Sequence, residues 1–292
     1  MKILALLMVG LLTFGCTQKA ANQLQSNAQQ TSIINGTPVV AENVLAKSVV
    51  GLMMKYDEDA SGIVWLQGCT GSVLNSKFIL TAAHCVEGSS VNELLVHFSL
   101  KTVTFEGQQN PATRVDVEKT MVTRKVKAFK THPEYSGSGS YDLALLMLVD
   151  EAPADVIPVK LLPAQYFNAD TGLTTFEGTT LPVHLMGFGL VSETPTYTDV
   201  LRETDVPSKF VDRFVVTDQT KGTGGCNGDS GGPAFLTIDK VVYQVGVTHG
   251  PRAGSTTCHE EGEWYNPAFD KGFLKKAQAE MQTEAQPPVL VQ

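Results

Sequence analysis

Charge is scarce in this chain of 292 residues: Asp, Glu, Lys and Arg make up 18% of it, against roughly a quarter in ordinary globular proteins. No run of Lys or Arg occurs and the formal net charge is −8, a balance that excludes a nucleic-acid-binding surface. None of the five cysteines belongs to a C-x-x-C pair, so the usual spacing of zinc sites is missing and no metal is expected. No repeat of fixed period is present. The N-terminal apolar run, "MKILALLMVGLLTFGC", is too short to span a bilayer comfortably. The chain does have apolar residues, 42% of the total, and length enough to bury a full core without a covalent staple.

Residues 1–15 read as a cleaved export signal, with one lysine, a short apolar run and the small Gly15 ahead of Cys16. The ending resembles a bacterial lipoprotein signal, which implies acylation of Cys16 and a membrane anchor through it. Thr13 and Phe14 stand where that class of signal carries an aliphatic and a small residue. Plain secretion, with Cys16 left as a thiol, is the alternative. Either route exports the chain, as a secreted or periplasmic protein, into oxidising surroundings. There Cys69, Cys85, Cys226 and Cys258 can form two disulfides, in any of three pairings. The local pairing, Cys69 with Cys85 and Cys226 with Cys258, would contribute about 3 to 4 kcal/mol per bridge in the chain-entropy model.

Residues 16–32, "CTQKAANQLQSNAQQTS", are polar and amide-rich, a tether or propeptide. From Ile33 the pattern turns to short runs such as "SVVGLMM", "DLALLML", "VHLMGFGLV" and "VVYQVGVTH", broken by Gly, Asn, Asp and Pro. That pattern predicts an all-β barrel or sandwich. Near the end, Asn266-Pro267 offers a helix cap and a first helical residue. Phe269, Phe273, Ala277 and Met281 then recur every four residues, so a helix is expected over about 267–283.

One loop concentrates conformational freedom. The stretch "GGCNGDSGGPAF", 224–235, packs glycines around Cys226, Asp229 and Ser230. Glycine is expected where backbone must take positive φ or approach another group closely. Main-chain N–H groups on such a loop can face an oxyanion, which makes Ser230 a candidate nucleophile. A nucleophilic serine needs a base, and of the six histidines His84 stands out. It sits in "LTAAHC", beside Cys85 and at the end of an apolar strand, where a disulfide would hold it still. Asp142 heads the apolar "DLALLML", where a carboxylate is tolerated only if it is paired or hydrogen-bonded.

With these residues in view, the chain resembles the chymotrypsin/trypsin family of serine proteases. "CTGSVLNSKFILTAAHC" is similar to the family's histidine block, "SYDLALLML" to its aspartate block and "GCNGDSGGPAF" to its serine block, in the family's order. "IING" resembles the mature N-terminus, and "VGVTHG" the strand along the substrate cleft. The resemblance implies two six-stranded antiparallel β-barrels, at about 45–150 and 157–266 within a domain 33–292, with a C-terminal helix. It implies a triad of Ser230 as nucleophile, His84 as base and Asp142 as its orienter, with Gly228 and Ser230 supplying the oxyanion hole. It further implies a zymogen: cleavage by an activating protease frees the Ile33 ammonium to pair with Asp229. Protein or peptide substrates follow from it, and no cofactor.

Several positions depart from the family pattern. Ser32, not Lys or Arg, precedes Ile33. Gly224 takes the place at the floor of the primary pocket where trypsin carries aspartate, so a preference for Lys or Arg is not expected. The cleft strand supplies Thr248, His249 and Gly250, with His249 where tryptophan is usual. An insertion, "PRAGSTT", follows, and Arg252, Glu261 or Glu263 could reach the pocket. A non-catalytic binding protein on the same fold is the alternative function. The G-x-S-x-G of Gly228, Ser230 and Gly232 also fits an α/β-hydrolase, but no βαβ pattern follows Ser230.

Overall fold

The computed structural model describes residues 33–189, 199–255 and 257–285. The export signal, the tether, Cys16 and Ser32 lie outside the described residues. A two-residue strand β1 (Thr37–Pro38) precedes six strands that close on themselves: β2 (Val49–Asp59), β3 (Gly62–Val73), β4 (Phe78–Thr81), β5 (Leu94–His97), β6 (Thr123–Thr131) and β7 (Ala144–Leu148). Their hydrogen-bonded order is β2-β3-β4-β7-β6-β5, and β5 pairs back to β2. The interior is filled by Val50, Leu52, Val73, Phe78, Leu80, Leu145 and their neighbours, all buried.

Six more strands form a second ring: β8 (Thr180–Gly187), β9 (Arg202–Val211), β10 (Phe214–Asp218), β11 (Pro233–Ile238), β12 (Val241–Pro251) and β13 (Glu261–Tyr265). The order β9-β10-β13-β12-β11-β8 closes through the β8–β9 ladder, and β1 pairs with Arg202 and Glu203 at the start of β9, beyond the stretch that pairs with β10. Val183, Leu185, Val206, Phe210, Val215 and Trp264 fill this second core. The molecule is thus two closed six-stranded antiparallel barrels and one C-terminal helix, the architecture the resemblance implied.

Strands β9 and β13 are not apolar runs. In "RETDVPSKFV" the buried residues are Arg202 at the start and then Val206, Ser208 and Phe210 on alternate positions, and Pro207 argues against a strand by itself. The sheet accommodates it because Pro207 stands opposite Pro182, so two missing donors fall at one rung. The helical segment differs from expectation at its start. Asn266 caps a 3₁₀ turn over Pro267–Asp270, and the α-helix proper is Lys271–Glu284. Its buried stripe is Leu274, Ala277 and Met281, packed on the first barrel. The tighter winding of the 3₁₀ turn leaves Phe269 out of the stripe, and its ring meets Phe167 edge to face, centroids 5.1 Å apart. Among the described residues no helix is long and apolar enough to cross a membrane.

Candidate active site

Each of the three candidate side chains stands just beyond a strand or on a tight loop. β4 ends at Thr81, and the chain turns at once into a 3₁₀ helix, Ala83–Cys85, that carries His84. Cys85 is bonded to Cys69 on β3, Cα atoms 6.2 Å apart, so the turn is tied to the barrel wall on both sides of the histidine. Asp142 lies just before β7 and is fully buried. Its Oδ1 accepts the His84 backbone N–H at 3.0 Å, and its Oδ2 lies 2.6 Å from His84 Nδ1. Burial pushes this carboxyl up, but hydrogen bonds from His249 and His84 outweigh burial and hold it at about 2. Asp142 is therefore an anion at neutral pH, and it orients the ring that faces the cleft.

The serine loop belongs to the second barrel but is fastened to the first. Thr70 of β3 donates its N–H to Ser230 O (2.8 Å) and its hydroxyl to Gly228 O (2.9 Å), and accepts the Phe188 N–H. Gly231, at φ +78°, runs so close to Thr81 and Thr70 that a β-carbon there would collide with both. Only glycine satisfies both the positive φ and this approach. Cys226 is bonded to Cys258, Cα atoms 5.4 Å apart, so the structure realises the local disulfide pairing. Ser230 and His84 line one cleft of about 390 Å³ together with Gly228, Thr248, His249 and Gly250. Among the described residues, the N–H groups of Gly228 and Ser230 donate to no protein acceptor. The Ser230 hydroxyl makes no hydrogen bond to His84 here, a contact that commonly tightens only around substrate.

Asp229 is buried and points away from the cleft, with Oδ1 accepting the Gly189 N–H at 2.8 Å and Oδ2 the Cys226 N–H at 2.9 Å. Burial, opposed by those two bonds, pushes its carboxyl up to about 7, because among the described residues no cation compensates the lost hydration. The Ile33 side chain is packed in the second core at φ +38°, an unusual conformation for a β-branched residue. Ile34 bridges to Gly224.

Gly224 departs from its expected place at the floor of the cleft. It is buried against the Gln219 amide and is not among the lining residues. The cleft is closed there by Trp264, whose six-membered ring lies against Gly225 and Gly262. The charges of the insertion offset one another: Arg252 meets Glu261 at 2.9 Å and Glu263 at 3.9 Å. His249, expected only as a cleft residue, places Nδ1 2.6 Å from Asp142 Oδ2. Sequence carried no signal for this contact beyond an imidazole where an indole is usual. Donor atoms of His84, Asp142 and His249 lie within 4.8 Å of one another, but they are committed to hydrogen bonds among themselves, and the nearby Cys69 and Cys85 are joined to each other.

A family model described as Trypsin matches residues 53–263. Venom serine protease Bi-VSP of Bombus ignitus is 27% identical over 244 residues, 76% of this chain and 62% of that protein. The chain thus spans just under two thirds of that relative's length. Brachyurin of Leptuca pugilator is 32% identical over 200 residues, 64% of this chain and 77% of that protein. Chymotrypsin-like elastase family member 1 of Canis lupus familiaris is 25% identical over 213 residues, 64% of this chain and 72% of that protein.

The Asp229 environment makes a prediction for the uncut chain. A carboxyl raised on folding contributes stability that is fully present below its unfolded pKa of 3.8 and is lost as pH rises through about 7. Denaturation midpoints measured from pH 4 to 8 should fall over that window, and Asp229→Asn should remove this component. An identical pH dependence in the variant would mean that Asp229 is already paired.

Proposed function

Because the chain belongs to the trypsin family, we propose that it is a serine endopeptidase acting through Ser230, His84 and Asp142. The observation that carries this reading is the buried Asp142 carboxylate bonded twice to His84, whose ring opens onto the cleft that holds Ser230. Ser230 Oγ bonds to the scissile carbonyl carbon while His84 Nε2 takes its proton, and Asp142 stabilises the resulting imidazolium. The carbonyl oxygen, now negative, receives the N–H groups of Gly228 and Ser230. Collapse breaks the C–N bond, with the proton returned from His84 to the leaving amine. Water then repeats the sequence on the acyl-enzyme. The alternative, a binding protein on the same fold, needs none of these groups.

A serine-directed organophosphate separates the two. Protein trimmed to begin at Ile33 should gain mass on Ser230, and Ser230→Ala should keep its fold while losing about 10⁶-fold in turnover. An unlabelled Ser230 would overturn the endopeptidase reading.

The cleft supports a preference for small, uncharged side chains. Among the described residues no acidic group lines it to receive Lys or Arg, and the Trp264 ring forms part of its lining. Peptide p-nitroanilides with Ala or Val before the scissile bond should be cleaved at least about tenfold better than those with Phe or Arg. A preference for Arg would show that a charge outside this lining governs selection.

Export and activation complete the proposal. The leader 1–15 directs export, Cys16 anchors the precursor through a lipid, and another protease cuts after Ser32. The new Ile33 ammonium then pairs with Asp229, whose buried carboxyl lacks a cation in the uncut chain. That cut releases the domain from the anchor. N-terminal sequencing and mass analysis of protein from its native source should find acylated Cys16 in the precursor and Ile33 at the start of the active form. A precursor beginning at Cys16 without acyl mass would remove the anchor.

A further inference from the structure

We propose that His249 is a positioning residue for the Asp142–His84 pair: it supplies the additional hydrogen bond that the buried carboxylate needs and thereby tunes how strongly His84 takes a proton. The inference rests on His84 being the base of the reaction proposed above.

A fully buried carboxylate is tolerated only when its oxygens are met by donors. Asp142 Oδ1 has the His84 backbone N–H, and Oδ2 has two imidazole nitrogens, His84 Nδ1 and His249 Nδ1, each at 2.6 Å. The hydroxyl next to His249 in the chain does not serve, because Thr248 Oγ1 donates to Gly232 O at 2.9 Å. His249 is placed for the task by an irregularity in β12: the pairing with β13 slips between Thr248 and Gly250, leaving His249 as the extra residue. Such a bulge re-aims its side chain. The two rings meet edge to face, centroids 5.7 Å apart, with Asp142 between them.

The charges around His249 decide what it does as pH falls. The Asp142 hydrogen bond raises its affinity for a proton, against partial burial, and Glu263 of β13 adds to the rise. Arg252 lies 3.9 Å from Glu263 and offsets part of that charge. Tyr135, near Asp142, is pushed up to about 12 and stays neutral throughout. A proton on His249 would place a positive charge against Asp142, beside the His84 ring.

Two substitutions separate the donor from the charge. His249→Phe keeps a ring and removes both, so kcat/KM at pH 8 should fall about tenfold or more, and the acid limb of its pH profile should move up by about one unit. His249→Asn restores a donor without a titrating charge, so the rate at pH 8 should recover while the acid limb stays displaced. On the full chain, proton NMR should show two low-field Nδ1–H signals, reduced to one in His249→Phe. An acid limb unmoved in His249→Phe, or a single low-field signal in the unaltered chain, overturns the proposal. Two low-field signals in a protein that cleaves no peptide would overturn the endopeptidase reading alone and keep the shared hydrogen bond.

Discussion

The charge of one buried carboxylate organises this molecule. Asp142 has no exposure to water, so its ionisation depends on donors brought from elsewhere in the chain. Two come from His84, 58 residues earlier, and one from His249, 107 residues later. Remove them, and desolvation alone would push the proton back onto the carboxyl. Both barrels must therefore be folded against each other for Asp142 to stay an anion once it is buried and to hold both imidazoles.

The contact between the barrels is correspondingly close. Thr70 bonds the backbone at Gly228, Ser230 and Phe188, and Gly231 passes against Thr70 and Thr81 with no room for a side chain. The two disulfides brace the same region from opposite sides, one beside His84 and the other at the serine loop. Among the described residues, the N–H groups of Gly228 and Ser230 have no protein acceptor. Asp229 behind the loop is the opposite case. It is held by two backbone N–H groups and no cation, and a new chain terminus is the kind of charge it lacks.

Much of the fold was legible in the sequence because apolar alternation and turn residues report directly on burial. β2, β7, β8, β11 and β12 fall on apolar runs, and the helix cap at Asn266 is where the residues placed it. β9 was not legible: its inward residues are interleaved with charge and its proline is acceptable only opposite Pro182. Of the residues expected on the helix face, Phe273, Ala277 and Met281 pack on the first barrel, and Phe269 alone falls outside because a 3₁₀ turn precedes the helix. At the site, the neighbourhood of His84 and Ser230 was legible from three short blocks. The displacement of Gly224 by Trp264 at the closed end of the cleft was not, because it depends on side chains packing across strands.

Residue order by itself determined the all-β class through local pattern and, through three short motifs, the family resemblance that implied two barrels and named the groups that gather at the cleft. Tertiary structure alone decided how the four cysteines pair, which ring lines the cleft beside Gly225, and that a second imidazole shares the aspartate. The physical reason is common to all three. Desolvation and close packing act between residues far apart in the chain, and their outcome depends on distances that no local pattern encodes.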